Sequence, residues 1–600
     1  MKLFLCEKPS QGRDIGRVLG TTQKEEGCMI GKEVAVTWGF GHLLEMVAPE
    51  YYDKKYKKWA LADLPIIPAQ WQMAVKPEAR KQFGIIRKLL KKTSAVVIAT
   101  DADREGEMIA REILEACRYA GPVSRLWLSA LDDCSIHKAL ASISAGESTE
   151  SLYQAGLGRA RADWMVGMNL TRLYTLKGRK PGEKGLYSVG RVQTPTLRLI
   201  VDRDRDIANF IPRDFWTLHV PLTGNNTPFL AQWQAPETLC DDEGRCVSEA
   251  ALRRAADNIQ SAGQAIVIRA ETKRVKESPP LPFDLGTLQQ HCSKKWGMGA
   301  QQVLDIAQRL YETHKATTYP RTDCGYLPQS MLADVPAVFR AIVETIPAFA
   351  PLLAACQPQQ QSRAWDDGKI TAHHGIIPTM KAADTHAMSD DERRVYSLIC
   401  RHYIAQFLPF WQADKTQILL RSGMHQLAAS GNVVVDRGWK VAFGDNAPAD
   451  ETLQSLPVLA EGAICQVRGT DIRAQKTRPP EHYTEGTLIG AMKNAARFVT
   501  DARLKQRLKE SAGLGTEATR AGIIETLLRR DYIRKEKRYL VATDNAWALM
   551  AMLPDIVKDP GMTALWEQAL DDIAAGRLSL AVFLQKQSIW ISAMVSQATR

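Results

Sequence analysis

At 600 residues, with 45% hydrophobic and 24% charged residues, the chain is too long for one small core and too apolar to remain disordered. The net charge of +11 favours a polyanionic partner such as nucleic acid, although charge alone fits a basic enzyme equally well. The 14 tryptophans add weight to nucleic acid, because aromatic rings among Lys and Arg can stack on single-stranded bases.

Several other protein classes are not indicated. No run approaches the ~20 apolar residues of a membrane span, and charge at Glu7 interrupts the first apolar run too early for a secretory signal. The 11 cysteines are scattered without a C-x-x-C, which argues against a disulfide framework and a zinc ribbon. No G-x-x-x-x-G-K-[ST] loop occurs. We expect a cytoplasmic protein that uses neither ATP nor zinc.

Residues 1 to about 150 alternate between strand-like and helix-like patterns. Strands are predicted at Lys2–Cys6, Glu33–Trp38 and Ala95–Ala99, and a helical pattern runs over 107–119. A strand followed by an acidic turn and a helix predicts an α/β domain. Sites in such domains lie at the carboxyl ends of the strands.

Four carboxylates crowd the turn after the third of these strands, in Asp-Ala-Asp-Arg-Glu-Gly-Glu at 101–107. In extended backbone Asp101 and Asp103 share a face, and Mg²⁺ prefers such oxygen ligands. A solvated acidic helix start is the alternative, but the position after a β-branched run favours a metal site.

Glu7 and Lys8 follow the first strand, within Glu-Lys-Pro-Ser at 7–10. If both strands belong to one parallel sheet, Glu7 reaches the same edge as Asp101 and Lys8 can lie beside a phosphate. Taken alone, the tetrapeptide fits an ordinary strand-to-helix loop.

Residues 151–210 read as helical, with basic residues between. At 188–195, Ser-Val-Gly-Arg-Val-Gln-Thr-Pro places donors around Gly190, where a backbone can approach closely. The segment could follow a phosphate backbone, and a surface turn before a helix fits as well.

Two strand-rich parts flank a helical part. The first carries predicted strands at 215–221, 229–233 and 265–270 and ends at the proline-rich 278–282. Residues 283–400 read as helical, 405–475 carry strands such as 417–420 and 432–435, and the rest is helical. This alternation predicts nested domains that could close into a ring.

Thr-Thr-Tyr-Pro-Arg-Thr-Asp at 317–323 places a phenol two residues from a guanidinium, with proline between them. Val303, Ile306 and Leu310 predict an amphipathic helix that Thr317 and Thr318 end, so that Tyr319 is presented from its end. Such a phenol could attack a phosphodiester with help from the nearby cation. A packed loop tyrosine is the simpler interpretation of the segment alone.

Two further segments could contact nucleic acid. His373 and His374 precede an apolar run without other metal ligands nearby, which favours a phosphate contact or a structural role. Gly-Leu-Gly-Thr-Glu-Ala-Thr-Arg at 513–520 leads into a helix and then a basic hairpin around Tyr532 and Tyr539, as in winged DNA-binding elements.

Taken together, these segments resemble the type IA DNA topoisomerases, most closely the bacterial topoisomerase III group. The matching segments, in the family's order, are EKPS at 7–10, DADREGE at 101–107, RARADW at 159–164, SVGRVQTP at 188–195, PLPF at 280–283, TYPRTD at 318–323, AHHGIIPT at 372–379 and GLGTEATR at 513–520. The resemblance covers nearly the whole chain.

The resemblance implies a multidomain α/β plus α and β fold: an N-terminal Toprim α/β domain and three further domains forming a toroidal core. The expected boundaries are 1–152 for the Toprim domain, 153–212 with 481–600 for a helical, winged-helix-like DNA-binding domain, 213–278 with 405–480 for a strand-rich hinge or arch, and 279–404 for the helical domain carrying the tyrosine.

The resemblance also implies roles for the site residues. Tyr319 would cleave one DNA strand through a 5′-phosphotyrosine link, and Arg321 would stabilise the charged phosphate. Glu7, Asp101 and Asp103 would bind Mg²⁺ with support from Glu105, and Lys8 would contact the scissile phosphate and assist proton transfer. Glu7 and Lys8 would thus be catalytic together with Tyr319 and Arg321.

Single-stranded DNA would be gripped by residues that the resemblance places along its path. These are Trp59, Asn169, Lys177, Lys184, Ser188, Val189, Gly190, Arg191, Val192, Gln193, Arg321, His373 and Thr519.

An ATP-independent, Mg²⁺-dependent enzyme that cuts, passes and reseals single strands is therefore the leading hypothesis, relaxing negative supercoils and decatenating DNA. The missing zinc modules favour decatenation. The alternatives are another Toprim enzyme, a nuclease or primase, and an inactive DNA-binding homologue. We expect a monomer associated with nucleoid or plasmid DNA, with helicases or replication proteins as partners.

Overall fold

The computed structural model describes residues 1–179, 185–357, 359–370, 373–446, 454–510 and 513–599. No helix in these ranges combines the length and the apolar character needed to cross a membrane.

The first 150 residues form an α/β domain around one sheet. In chain order its elements are β1 (Lys2–Cys6), α1 (Pro9–Val18), β2 (Gln23–Glu25), β3 (Cys28–Ile30), β4 (Val34–Trp38), β5 (Leu44–Met46), α2 (Pro49–Tyr52), β6 (Met73–Val75), α3 (Arg80–Leu90), β7 (Ala95–Ala99), α4 (Arg104–Ala116), β8 (Val123–Arg125), α5 (Asp133–Leu140) and β9 (Ser144–Ala145). The strand order is β2-β3-β4-β1-β7-β8-β9. β1 runs parallel to both β4 and β7, so β1 and β7 end at the same edge.

This sheet is apolar on both faces, as a parallel sheet covered by helices requires. Leu3, Leu5 and Ile98 pack with α3 and α4 on one face. Phe4 and Val97 pack with α1 and α5 on the other. The second cluster also contains Tyr311 and Tyr319 from much later in the chain, so the sheet supports the tyrosine directly.

The remaining chain alternates between helical and strand-rich parts. Up to residue 405 the elements are α6 (Glu150–Gly178), α7 (Gln193–Ala208), β10 (Asp214–Gly224), β11 (Thr227–Trp233), α8 (Glu249–Ala262), β12 (Gln264–Glu277), α9 (Leu285–Trp296), α10 (Ala300–Glu312), α11 (Val335–Thr345), α12 (Ala350–Ala354) and α13 (Asp390–Ala405). Beyond it they are β13 (Trp411–Ser422), β14 (His425–Asp436), β15 (Ile464–Val467), β16 (Asp471–Lys476), β17 (Tyr483–Thr484), α14 (Glu485–Lys493), α15 (Ala502–Glu510), α16 (Glu517–Arg529), β18 (Ile533–Glu536), β19 (Tyr539–Ala542), α17 (Asp544–Met552), α18 (Asp555–Lys558), α19 (Pro560–Ala574) and α20 (Leu580–Thr599).

The two strand-rich parts meet in one sheet. Its pairings run β11-β14-β13-β12-β15-β10, and β10 pairs again with β11, so the strands close on themselves. Alternate residues of β10 point inward, where Leu218, Val220 and Leu222 join a buried core with α8. Strands separated by more than 130 residues thus form one unit, as nesting predicts.

In the described part of the chain, two large helical cores accompany the sheets. One joins α6 and α7 to the helices after residue 480. The other lies among α9, α10, α11 and α13 and carries Tyr319 on a neighbouring loop. The predicted domain boundaries and the closed torus stay predictions.

The predicted strands are present, and two predicted helices have different bounds. α4 begins at Arg104 rather than 107, because Asp103 caps it. α10 ends at Glu312, not at Thr317, because Lys315 adopts a positive φ of 56° that stops helical hydrogen bonding. Tyr319 therefore lies on an extended segment, not at a helix end.

Candidate active site

Glu7 and Asp101 meet at the edge where β1 and β7 end. The Asp101 backbone N–H donates to Glu7 Oε2 at 3.3 Å. Gln11, on the first turns of α1, donates from Nε2 to Asp101 Oδ1 at 3.2 Å and accepts from the Glu7 N–H at 2.9 Å. Both carboxylates are almost fully buried. The parallel pairing of β1 and β7 thus brings the two acidic segments together, as the sequence predicts.

Arg125 holds the backbone of the acidic turn after β7 in place through hydrogen bonds. Its guanidinium donates to the Asp101 carbonyl at 2.7 Å and to the Thr100 carbonyl at 2.9 Å, and its Nε pairs with Glu107 at 2.6 Å. Arg125 and Glu107 are both fully buried. Glu107 is therefore a structural member of the four-carboxylate run. No sequence signal marked Arg125, which is the last residue of the short strand β8.

α4 starts directly against the acidic turn. Asp103 Oδ1 caps the helix by accepting from the Gly106 N–H at 2.7 Å. A Cβ on residue 106 would lie 2.2 Å from the Asp101 carbonyl oxygen, so only glycine permits this approach.

Tyr319 reaches this turn from the other side. Its hydroxyl donates to Asp103 Oδ2 at 2.6 Å, across 216 residues of sequence, and its backbone N–H donates to the Ser129 carbonyl at 2.8 Å. Thr318 and Ile377 exchange hydrogen bonds that hold the extended segment in place. The predicted nucleophile and the predicted acidic cluster are thus in direct contact.

The electrostatics of the site favour a protonated phenol at rest. Burial raises the pKa of Tyr319 well above 10, and the charges of Asp103 and Asp101 raise it further. Arg321 opposes this shift. Burial alone would lower the pKa of Arg321, but the neighbouring Tyr319 and the acidic residues raise it overall. Asp103 already accepts a hydrogen bond from this protonated hydroxyl.

Lys8 neutralises the buried acids. Its Nζ lies 3.4 Å from Asp101 Oδ2, 3.7 Å from Glu7 Oε1 and 2.6 Å from Glu312 Oε1 at the end of α10. Burial and the charge of Asp101 nevertheless raise the pKa of Glu7 to about 8. The site thus holds more carboxylates than its own lysine compensates. Gln11 and Glu312 belong to this cluster although no motif pointed to them.

His373 and Trp127 form an aromatic stack on Tyr319. The His373 ring lies 5.2 Å from the Tyr319 ring at 24°, and the Trp127 ring lies 6.2 Å from His373 at 28°. His373 Nε2 hydrogen-bonds the Ala102 carbonyl of the acidic turn. Tyr311 meets Tyr319 edge-on at 5.7 Å. The predicted phosphate ligand His373 therefore also orients the phenol, and Trp127 was not predicted.

A cavity of about 200 Å³ opens beside the phenol. Asp103, Glu105 and Arg321 line it from one side, and Thr516 and Glu517 line it from the other. Arg321 Nε is buried, and no described residue forms a hydrogen bond with it. An anion such as a phosphate would satisfy it, since an unpaired buried donor is costly. Glu105 is exposed here and lies near His42 rather than Glu7.

The residues present suit a hard divalent cation. Glu7, Asp101 and Asp103 supply only oxygen donors, as Mg²⁺ prefers, and Mg²⁺ keeps several waters of its own. Across the described ranges, no three acidic, His or Cys side chains are arranged as a ready metal cage. The donor chemistry therefore fits Mg²⁺, with Lys8 as the positive charge now closest to Asp101.

Asn169 and Trp59 anchor the segment around residues 57–66. Asn169 is fully buried, donates to the Ile66 carbonyl at 2.9 Å and accepts from the Ile66 N–H at 2.5 Å. The Trp59 indole lies 4.9 Å from the Arg172 guanidinium, which covers one of its faces. The predicted DNA contact of Asn169 stays a prediction that requires these bonds to open.

The predicted backbone-tracking segment is held by the protein itself. The N–H groups of Ser188, Val189 and Gly190 donate to Tyr532, Thr171 and Thr194. Arg191 pairs with Asp163 at 2.9 Å and Glu567 at 2.7 Å.

Gln193, which follows Val192 at the start of α7, accepts from Arg530 at 3.1 Å. Donors for DNA on this segment would have to exchange such partners.

The remaining predicted contacts lie farther out. Lys177 is exposed and donates to the Ala598 carbonyl. Thr519 forms the capping box of α16 with Thr516 and lies next to the cavity residues 516–518. Lys184 lies outside the described residues.

Comparisons with known proteins cover the whole chain. The family model described as DNA topoisomerase matches residues 147–585, and the Toprim domain model matches residues 2–131. DNA topoisomerase 3 of Vibrio cholerae is 40% identical over 97% of this chain and 92% of its own length. The Salmonella typhimurium protein of that name is 39% identical over 100% and 94%, and that of Bacillus subtilis is 34% identical over 99% and 81%.

A solved structure shares the fold. Full-length topoisomerase I from Thermotoga maritima superposes with a TM-score of 0.73 at 23% identity, covering 100% of this chain and 90% of that one.

Proposed function

The chain belongs to the type IA DNA topoisomerases, close to topoisomerase III, and we propose that Tyr319 is the residue with which it cleaves DNA. As a member of this family it is an ATP-independent enzyme. The observation that carries the assignment is the 2.6 Å hydrogen bond from the Tyr319 hydroxyl to Asp103. It places the phenol inside the acidic cluster of the Toprim domain.

The reaction exchanges one ester for another. Tyr319 Oη attacks the phosphorus, the new O–P bond forms, and the bond from phosphorus to the 3′ oxygen breaks. The phenol proton passes to Asp103, and the departing 3′ oxygen takes a proton from Lys8, so charge is conserved. Because bond energy is retained in the phosphotyrosine, the free 3′ hydroxyl can attack back and reseal the strand.

Arg321 and His373 complete the proposed machinery. Arg321 has an unpartnered buried Nε facing the cavity, which suits the extra negative charge of the phosphate in the transition state. His373 stacks on the phenol and keeps its hydroxyl directed at Asp103. The single-stranded DNA would run from Trp59 past residues 188–193 and Thr519 to this cavity.

We further propose Mg²⁺ as the metal cofactor, held by Glu7, Asp101 and Asp103 with Glu105 in support, and no zinc. When bound, the cation supplies positive charge that holds DNA phosphates in register. Glu7 and Asp101, buried side by side, are the pair that such a charge would most relieve.

Trapping the covalent complex tests the nucleophile. Denaturant quenching with single-stranded DNA labelled at its 3′ end should leave label on the peptide containing Tyr319, because the 5′-phosphotyrosine link retains the fragment that carries that end. Tyr319→Phe should reduce the adduct by more than ~10³-fold, as loss of a nucleophile does. Tyr311→Phe is the matched control, because it removes a neighbouring buried hydroxyl and should keep the adduct.

The same assay separates the alternatives. Cleavage that survives Tyr319→Phe would indicate a Toprim nuclease or primase. Strand binding without an adduct in the unmodified protein would indicate an inactive DNA-binding homologue. Label on any other residue contradicts the assignment.

We propose that decatenation dominates over relaxation of negative supercoils, since the relatives reported above carry the name topoisomerase 3. Equal or faster turnover of supercoiled plasmid than of catenated plasmid would contradict this. We also propose a cytoplasmic monomer on nucleoid or plasmid DNA, with helicases or replication proteins as partners.

A further inference from the structure

Two adjoining cavities lie between the tyrosine-bearing unit and the end of the closed sheet. They measure about 700 and about 810 Å³ and share lining residues from the 278–282 linker, α9 and α13. The first also contains Asp323, which lines the cavity beside Tyr319. Volumes of this size suit a nucleotide-sized ligand.

Five cations line these otherwise largely apolar cavities. The five that line them are Lys276, Lys294, Lys295, Arg363 and Lys369. Within the described part of the chain, none of the five makes an ion pair, although Lys295 lies 5.2 Å from the ring of Trp296.

The acidic residues that line the cavities, Glu277, Asp284 and Asp323, neutralise little of this positive charge. Glu277 pairs with Lys440 at 3.4 Å, and Asp284 pairs with Lys493 at 2.7 Å, so both are already neutralised. Asp323 remains at the rim. The cavities therefore carry excess positive charge, which favours a polyanionic ligand.

The pKa values of the two histidines that line the cavities, His291 and His402, are lowered by burial and by the nearby lysines. Burial lowers the pKa of His402 to about 3, and the nearby His291 and Lys295 lower it further. Burial also lowers the pKa of His291, with Lys295 and Lys294 contributing. Both rings are thus neutral at pH 7 and can offer a lone pair.

His402 is a buried polar group without a full set of partners. Its Nδ1 lies 3.3 Å from the Leu281 carbonyl, which can only accept, so Nδ1 carries the hydrogen. Nε2 is then an acceptor, and it finds no hydrogen-bond partner among the described residues, although only 5% of the residue is exposed. Phosphate dianions cannot donate to it, but the N–H groups of a nucleobase can.

We propose that these cavities form a nucleotide-binding site separate from the Tyr319 site. The cations hold the phosphate, the exposed ring of His291 stacks on the base, and His402 accepts from the base edge. The nucleotide is either free or part of a single-stranded DNA segment, and the two sources are distinguished below.

Photolabelling with 8-azidoadenosine monophosphate tests the site. Label should appear on α9, and Lys294→Glu with Arg363→Glu should weaken it about tenfold, because two phosphate contacts are reversed. The matched control is Lys88→Glu with Arg254→Glu, which changes the net charge equally at exposed cations without ion pairs. This control should keep the label.

Competition identifies the source. Displacement by oligothymidylate at concentrations far below those needed with AMP assigns the site to a DNA strand. The slope of log K against log salt should then become shallower by about 1.4 in the Lys294 and Arg363 double variant, because two phosphate contacts are lost. Displacement by AMP alone assigns it to free nucleotide. Displacement by inorganic pyrophosphate as effectively as by AMP refutes the base contacts, and equal loss in both double variants refutes the site.

Failure of this proposal is distinct from failure of the proposed function. Tyr319→Phe should leave the photolabel on α9 unchanged. The Lys294 and Arg363 variant should still form the Tyr319 adduct on a short oligonucleotide. Loss of both readouts in that variant would indicate global damage and overturn the site assignment.

Discussion

Asp103 connects two elements through its two carboxylate oxygens. Oδ1 caps α4 at the Gly106 N–H, and Oδ2 accepts from the Tyr319 hydroxyl. The position of the phenol is therefore tied to the start of a helix, which is more rigid than a loop. The same side chain could not have been assigned this double role from sequence, because its second partner lies 216 residues away.

Glu7 should make stability depend on pH in the metal-free protein. Its folded pKa of about 8 exceeds its ordinary value of 4.5, so between these values the folded state holds a proton that the unfolded state lacks. The free energy of unfolding therefore falls as pH rises through this window. Glu7→Gln removes this loss. In EDTA, the melting temperature of the variant minus that of the parent should therefore increase between pH 5 and pH 9.

The control for this experiment is Glu45→Gln, at an exposed carboxyl on β5. The difference in melting temperature between Glu45→Gln and the parent should stay constant across the same pH range. Excess Mg²⁺ should shrink the advantage of Glu7→Gln, because a bound cation stabilises the ionised carboxylates. A gap between Glu7→Gln and the parent that does not grow with pH would contradict the role given to Glu7.

At the scale of elements, the approach of α4 to the acidic turn decides the geometry of the site. Gly106→Ala should destabilise the protein by about 1–3 kcal/mol, since its Cβ would meet the Asp101 carbonyl oxygen at 2.2 Å. Helix propensity alone predicts the opposite, a gain of about 1 kcal/mol. Gly167→Ala within α6 meets nothing within 4 Å and should show that gain. Urea unfolding measures both.

The elements show what the sequence could and could not predict. β1 and β7 were predictable, because Leu3–Cys6 is a short apolar run and Ala95–Ala99 is a short β-branched run, and the acidic turn directly follows the second. The end of α10 was not, because a lysine with positive φ gives no warning in sequence. Arg125 was missed because nothing in the sequence distinguishes an arginine that becomes buried from one that stays exposed. Contacts between distant segments, such as Tyr319 with Ser129, depend on domain packing that no local pattern encodes.

At the scale of the whole molecule, the Toprim domain and the tyrosine-bearing unit form a closed contact that strand passage must open. Around the Tyr319 site, three ion pairs join the two sides: Lys8 with Glu312, Lys315 with Asp14, and Lys138 with Asp334. The first lies within the acidic cluster around Asp101, and the last lies at the periphery. Charge pairs suit a gate, because they guide closure yet contribute little once hydrated.

Substitutions at the peripheral pair, Lys138 and Asp334, should change the equilibrium between the closed and open gate without altering the Tyr319 site. Lys138 Nζ lies 2.6 Å from Asp334 Oδ1, but the lysine side chain is 56% exposed, so the pair contributes at most ~1 kcal/mol. Lys138→Glu replaces attraction by repulsion and should favour the open gate about fivefold, raising the trapped covalent fraction and slowing resealing. Lys138→Glu combined with Asp334→Lys restores the pair with reversed sign and should return both the covalent fraction and the resealing rate to the parent values.

Energy transfer between dyes on the two sides would report the opening directly. If the single variant reseals as fast as the parent, or if the double variant fails to recover, the pair does not control the gate.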